Sequence, residues 1–389
     1  MTIDIHFKAR RTALAVIGLT AALLVSPLAR AQGAKVLKLG SILTVTGPNA
    51  SIGKEGLAGV EYAIKQVNAA GGVRIGSDTY TVQLVNIDDE SKQERAVAAA
   101  ERLISSEKVP VIFTTPASTT TLAVLPTLEK NKTVGMSFVA AAPAVISPEL
   151  SYSFRSTLSA IDNVGPSIDF LVKDKGLKRI AYLGRNDDWG RAAGKAVAAR
   201  VKSLGGEMVV EEYFETGNTD FSGLLTKVRG ANADAVLGAA FIEDGVAMIK
   251  QYREQRLKPV FLSPSTIWSS PTFLKAAGKA AEGVYVATGP TTTESPALTA
   301  FGEQFEKTTG RKPLPFELIG YDNVMIVLDA MKKAGSTDAI KVRDALRNVS
   351  YQGVLQEYKF GGTNQAEVVI NVNEIKEGRA RMLTSMKVR

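Results

Sequence analysis

Residues 36–72 read VLKLGSILTVTGPNASIGKEGLAGVEYAIKQVNAAGG, and the order of apolar and polar residues in this stretch decides the fold. It opens with Val36 to Leu43, an apolar run of strand length that is partly β-branched. A polar turn punctuated by Gly47-Pro48 follows. Beyond it, apolar residues recur at steps of three and four, as on one face of a helix: Leu57, Val60, Ile64 and Val67. Strand, polar loop and helix predict the first βα unit of a parallel sheet, whose loop lies at the edge where such sheets place their ligands.

The same alternation of strand and helix patterns continues along the chain in two runs. The first run ends near residue 157, and the second begins near residue 161. Two runs without a long linker predict an α/β protein with two doubly wound lobes. A chain of 389 residues is long enough for two such domains. From Val284 onward, helical patterns and then extended segments follow, and composition does not assign them to either lobe.

The composition excludes several classes of active site. The chain has no Cys, and its one His is His6, in the segment that we expect to be removed. A mature chain without imidazole or thiol has no Ser–His–Asp triad, no thiolate nucleophile and no His- or Cys-bound zinc. Neither a G-x-G-x-x-G turn after the first strand nor a P-loop occurs. We therefore predict a protein that is not an enzyme and uses no cofactor and no metal.

Residues 1–31 have the three parts of a secretory signal peptide. Lys8, Arg10 and Arg11 form the basic part, an apolar part runs from Thr12 to Val25, and Ala29-Arg30-Ala31 fits the cleavage rule. The apolar part is shorter than the roughly 20 residues that span a membrane. We expect cleavage near Ala31 and export to the periplasm, with an uncleaved anchor as the alternative.

Small polar and turn-forming residues fill the loop Thr114 to Thr121, between a buried strand pattern and a helix pattern. Hydroxyl groups and free amides at a helix N-terminus can bind an anion. Two interpretations stay open: the hydroxyls only cap the helix, or at least one of them also contacts a ligand.

These stretches together resemble the Leu/Ile/Val-binding proteins, the periplasmic substrate-binding subunits of branched-chain amino-acid ABC transporters. The resemblance covers about Lys35 to Met382 and rests on several short motifs: Gly47-Pro48, Gly53, Gly59, Asn68 to Gly72, Asp88-Asp89, Arg155-Ser156-Thr157 and Trp189-Gly190. It implies the type I periplasmic binding fold, with two Rossmann-like lobes joined by three crossing strands. The lobes implied are residues 32–157 with 287–355, and residues 158–286 with 356–389. The ligand would lie between lobes that close like a hinge.

On the first lobe, the resemblance implies ligand contacts at Ser118, Ala140 and Ala142. Hydroxyl and backbone groups at these positions grip the ligand carboxylate and part of its ammonium group in the family. Ala117 competes with Ser118 for its place, since the alignment there is uncertain by one residue. Ile52 stands where an aromatic residue often covers the ligand.

On the second lobe, the resemblance implies contacts at Trp189 and Phe241, where branched-chain binders tend to have Tyr. A flat aromatic ring would shield the ligand from water and add contact area. Both rings have a plain alternative as core residues. Trp268 is a third candidate, for which packing in the core is the favoured interpretation.

The chain departs from the family where an acidic residue meets the ligand ammonium, because Ser265 stands at that position. A buried ammonium group without a charged partner is costly. The ligand expected is therefore a small carboxylate or amide without an ammonium group, not a simple aliphatic amino acid. Glu243 or Asp244 could restore the missing charge.

The resemblance also implies the partners, which are the permease and ATPase subunits of an ABC importer and a small-molecule ligand: a carboxylate, an amide or an amino-acid-like molecule. We expect a monomer. The basic residues form no long run, so no nucleic-acid partner is expected. A secreted protein that senses a ligand through a membrane receptor is the alternative function, because it would use the same cleft.

Overall fold

Two β-sheets organise the computed structural model, which describes residues 34–290 and 295–388. The strands of the first sheet are β1 (Lys35–Ser41), β2 (Val73–Ile75), β3 (Asp78–Asn86), β4 (Val111–Phe113), β5 (Val134–Ser137) and β6 (Ser153–Arg155). Their spatial order is β2-β3-β1-β4-β5-β6. Strands β1, β4, β5 and β6 pair in parallel. The strand predicted from Val36 is thus β1, which lies inside the sheet between β3 and β4 and pairs in parallel with β4.

The second sheet uses later parts of the chain. Its strands are β7 (Arg179–Arg185), β8 (Glu207–Phe214), β9 (Ala235–Ala239), β10 (Val260–Ser263), β11 (Tyr285–Thr288), β14 (Val369–Lys376) and β15 (Arg379–Lys387). The order is β15-β14-β11-β10-β9-β7-β8, parallel from β11 to β8 and antiparallel across β14 and β15. A hairpin, β12 (Ser350–Gln352) with β13 (Glu357–Lys359), precedes β14. The predicted fold class, two doubly wound α/β lobes, is confirmed.

Helices cover both sheets. They are α1 (Ala50–Ala69), α2 (Gln93–Ser105), α3 (Ser118–Lys130), α4 (Ala160–Asp169), α5 (Asp188–Ser203), α6 (Ser222–Gly230), α7 (Ile242–Glu254), α8 (Pro271–Ala277), α9 (Pro296–Thr309), α10 (Pro315–Ala334) and α11 (Ala339–Leu346). Helix α10 packs along α1 so closely that a Cβ on Gly59 would lie 2.0 Å from the Glu317 carbonyl oxygen. A side chain at position 59 would therefore push these two helices apart.

The chain passes between the two sheets three times: after β6, after β11 and before β14. The first and third crossings lie side by side, because Arg155 N–H donates to the Asn364 carbonyl and Ala366 N–H donates to the Arg155 carbonyl, both at 2.9 Å. Phe360 packs against Phe154 of the first sheet, with ring centroids 6.0 Å apart. We therefore propose that the second lobe resumes near residue 366 and not at residue 356.

The segment predicted to be a signal peptide, residues 1–31, lies outside the described residues. Within residues 34–290 and 295–388, no helix is long and apolar enough to cross a membrane.

A candidate ligand-binding cleft

The carboxyl ends of strands from both sheets face one cavity. In the first sheet, β3 lies on one side of β1 and β4 lies on the other; in the second sheet, β8 and β9 flank β7 in the same way. Ligands of open α/β sheets bind at such reversals of strand order. The cavity has about 840 Å³ of space free of atoms, part of it open to solvent.

The first-lobe wall of the cavity combines one hydroxyl group with apolar side chains. Ser118, the first residue of α3, lines it together with Ile52, Val139, Ala141 and Phe316. Ser118 Oγ accepts a hydrogen bond of 3.0 Å from the backbone N–H of Ala142. This bond uses an acceptor site of the hydroxyl and leaves its proton available to a ligand.

Three residues expected at this wall, Ala117, Ala140 and Ala142, do not line the cavity in the structure. Ala140 and Ala142 alternate with the cavity-lining residues of their loop and pack instead with Val145. Their carbonyl groups accept hydrogen bonds from Arg155 Nη1, at 3.3 and 2.9 Å. Ala117 lines a separate recess. The loop is therefore held by the protein itself, and direct ligand contact by these three residues stays a prediction.

Two adjacent aromatic rings form the second-lobe wall. Trp189 and Phe241 both line the cavity, with ring centroids 5.3 Å apart. Asp187 places Trp189, because its carboxylate accepts from Gly190 N–H at 2.8 Å and so caps the start of α5. Behind Phe241 lies the buried guanidinium of Arg185, 4.0 Å from the ring centroid. A cation against the far face holds this ring in place.

Ser265 also lines the cavity, but the two acidic residues proposed to replace its missing charge do not. Asp244 turns toward its own lobe, where it accepts from Gly217 N–H at 2.8 Å and lies 3.9 Å from Arg185. Burial raises the pKa of Asp244 above its ordinary value. Glu243 accepts a hydrogen bond of 3.3 Å from Ser51 on the opposite lobe. Both carboxylates thus have partners outside the cavity.

Trp268 is a core residue. It has no exposed surface, its ring stacks between Phe261 and Phe273, and its Nε1–H donates to the Ala240 carbonyl at 3.0 Å. The favoured interpretation from the sequence, packing, agrees with this placement.

The loop of the β12–β13 hairpin reaches the cavity, which sequence patterns did not predict. Leu355, Gln356 and Tyr358 line the wall. Asp322 on α10 holds this loop, because its carboxylate accepts from the N–H groups of Val354 and Leu355 and from the Tyr358 hydroxyl, at 2.8 to 3.0 Å. Burial raises the pKa of Asp322 to about 6. In the sequence, the one signal for this contact is the position of Asp322, a carboxylate among the apolar residues of the α10 pattern.

Two further residues missed from the sequence, Thr157 and Asn163, stand where the first crossing meets α4, and both line the cavity. Asn163 Nδ2 donates to the Pro264 carbonyl at 2.8 Å. Their positions depend on the packing of α4 beneath the crossing, which no local motif reveals.

The cavity wall is uncharged at neutral pH, as far as the described residues show. Its polar lining residues are Ser118, Ser156, Thr157, Asn163, Ser265, Thr266, Gln356 and Tyr358. Among residues 34–290 and 295–388, no three His, Cys, Asp or Glu side chains are placed to hold a metal ion. The arrangement can therefore bind and shield a small molecule through apolar contacts and neutral hydrogen bonds.

A family model described as periplasmic binding protein matches residues 36–379 of the chain. A Leu/Ile/Val-binding protein homolog 7 from Brucella abortus is 27% identical over 351 residues, which are 85% of this chain and 86% of that protein. The chain is thus similar in sequence to the Leu/Ile/Val-binding proteins, as its motifs predicted.

Solved structures give the same result for the fold. The leucine binding protein LivK of Thermotoga maritima has a TM-score of 0.81 at 25% identity, covering 90% of this chain and 99% of its own. A solute binding protein of an ABC transporter from R. palustris, solved with benzoate, has a TM-score of 0.81 at 20% identity, covering 90% and 96%. At that lower identity, the likeness concerns the fold alone.

Proposed function

We propose, from the premise that the chain belongs to the periplasmic binding protein family, that it is the periplasmic solute-binding subunit of an ABC importer. Its ligand in this proposal is a small carboxylate or amide without an ammonium group. The chain binds this ligand between its two lobes and delivers it to a permease, without catalysis. The ligand bridges both lobes, so the closed state alone makes every contact.

The observation that carries the proposal is the uncharged, largely apolar cavity wall, with Trp189 and Phe241 on one side and Ser118 on the other. Ser118 begins α3, a helix of 13 residues whose first N–H groups have no helical partner. These groups favour a carboxylate. An ammonium group would have no described carboxylate in the wall to meet it. Of the named relatives, one was solved with benzoate, a carboxylate without an ammonium group, whereas another is named a leucine binding protein.

Calorimetric titration with benzoate and with leucine tests the ligand class. We expect benzoate to bind and leucine not to bind; micromolar binding of leucine would defeat the proposal. The matched variants Ser265→Glu and Ser265→Gln add a charged and a neutral side chain of similar size at the wall. The affinity for a carboxylate ligand should fall at least tenfold further in Ser265→Glu than in Ser265→Gln, because only Ser265→Glu adds a like charge to the enclosed cavity.

Delivery to a permease is tested separately. The exported protein is isolated with its membrane fraction after mild cross-linking, and partners are identified by mass spectrometry. Permease and ATPase subunits are expected. A receptor kinase or a similar sensor in their place would support the sensing alternative instead.

A further inference from the structure

Asn163, which lines the cavity, has an unpaired acceptor in its side chain. The side chain is 2% exposed, and no hydrogen-bond donor among the described residues reaches its Oδ1. The orientation of the amide is fixed, because Nδ2 donates to the Pro264 carbonyl at 2.8 Å, and a carbonyl oxygen can only accept. Turning the amide over would set two oxygens against each other. The Oδ1 atom therefore stays an unpaired acceptor in a residue that lines the cavity.

Thr157 adds a second unpaired polar atom at the same wall. Its Oγ1 is buried and has no hydrogen-bond partner among the described residues, and both Thr157 and Asn163 line the cavity. The Thr157 backbone is anchored, since its carbonyl accepts from Gln365 Nε2 at 2.8 Å. Buried polar groups are nearly always paired, so two unpaired ones in one binding cavity indicate a ligand group that pairs with them.

The two sides of the cavity differ in hydrogen-bonding character. Ser118 Oγ accepts from Ala142 N–H and keeps its own proton, which it can donate to a ligand. Asn163 Oδ1 can only accept. The wall near Ser118 therefore suits a carboxylate, and the wall near Asn163 suits a donor. Because no charged side chain lines the described part of the wall, a neutral donor fits there better than an ammonium group.

We propose that the ligand is a carboxylate that also carries a hydroxyl group, and that this hydroxyl donates to Asn163 Oδ1, with Thr157 lining the same cavity. This inference rests on the proposed function and narrows its ligand class. A site that must pair a buried acceptor discriminates strongly against ligands that lack the donor. The Asn163 amide is thus a specificity-determining group.

Titration calorimetry with matched acids tests the inference. The probes are benzoate, 3- and 4-hydroxybenzoate, and 3- and 4-methylbenzoate, with 4-methylpentanoate and its 2-hydroxy derivative as an aliphatic pair. At least one hydroxy acid should bind tenfold more tightly than both its parent acid and its methyl analogue. The readout in each variant is the ratio of these affinities, which a general loss of packing does not change.

Asn163→Leu keeps the side-chain volume and removes the acceptor, and the hydroxyl preference should fall below threefold. Thr157→Val removes one hydroxyl group and should reduce the preference for hydroxy acids. If Asn163→Leu does not fold, Thr157→Val is the variant that decides the test. Ser118→Ala should lower the affinity for all acids alike and leave the ratio unchanged.

Acids that bind without a hydroxyl preference would overturn this inference alone, as would a hydroxyl preference that survives Asn163→Leu. If none of the acids binds, the proposed function fails, and this inference fails with it.

Discussion

Thr272 Oγ1 on α8 donates a hydrogen bond of 3.2 Å to Glu55 Oε1 on α1, although the two helices belong to different lobes. A second bond between the lobes, from Ser51 Oγ to Glu243 Oε1 at 3.3 Å, begins on the same helix. Helix α1 thus contacts the opposite lobe at two points. Opening of the cleft would break both bonds and return the Glu55 carboxyl to water.

Glu55 should make stability depend on pH. Its pKa is raised from 4.5 to about 7, chiefly by burial; nearby Glu317 contributes to this rise, whereas Thr272, the Phe316 backbone and Arg311 oppose it. The ionised form is therefore unfavourable in the folded state, and the penalty develops as pH rises from about 4.5 to 7. Glu55→Gln removes this titration and keeps an acceptor for Thr272. Its unfolding free energy relative to wild type should rise between pH 5 and pH 8 by on the order of 2 kcal/mol.

Chemical denaturation across that pH range measures the difference. Glu61→Gln, which removes a carboxyl group at an exposed position of the same helix, is the control. A flat difference between Glu55→Gln and wild type from pH 5 to pH 8 would show that Glu55 titrates normally.

Gly59 should resist substitution even by alanine. Alanine is the better helix former by roughly 1 kcal/mol, but a Cβ here would lie 2.0 Å from the Glu317 carbonyl oxygen. The backbone contact between α1 and α10 must open to admit it, so Gly59→Ala should cost about 2 kcal/mol or more. At Gly165 on α4, a Cβ would point into open space, with no atom of another segment within 4 Å. Gly165→Ala should therefore stabilise the protein slightly, and equal unfolding free energies of the two variants would refute the close-packing argument.

The two lobes could be predicted from the sequence because each βα unit has a recognisable pattern of apolar residues within a short stretch of chain. Val36 to Leu43 and the helix stripe after it need no distant residue to be recognised. The family resemblance was enough to propose Trp189 and Phe241 as cavity residues, since both follow strand ends.

The positions of Asn163 and of the hairpin loop held by Asp322 could not be predicted, because they depend on contacts between segments more than 30 residues apart. The N-terminal prediction, residues 1–31, stays a prediction.

The two tryptophans of the chain should separate binding from packing. Trp268 is enclosed by Phe261 and Phe273, so Trp268→Ala should cost about 3–5 kcal/mol of unfolding free energy. Trp189 borders the cavity, so Trp189→Ala should cost clearly less.

Fluorescence gives the matching test. Benzoate should change the emission of Trp268→Phe, in which Trp189 remains, and leave that of Trp189→Phe unchanged. A ligand response confined to Trp268 would place the binding site away from the cleft.

Asp322 should control the order of the hairpin loop that lines the cavity. Its buried carboxylate accepts two backbone N–H groups and the Tyr358 hydroxyl. Asp322→Ala leaves these three donors unpaired, so we expect a loss of about 3 kcal/mol in unfolding free energy and faster amide exchange across residues 353–358. Asp322→Asn keeps one acceptor and should have a smaller effect on both. Asp344→Ala, at an exposed position of α11, should change neither. Because Leu355 and Tyr358 belong to the cavity wall, unchanged exchange in Asp322→Ala would mean that another contact shapes this side of the cleft.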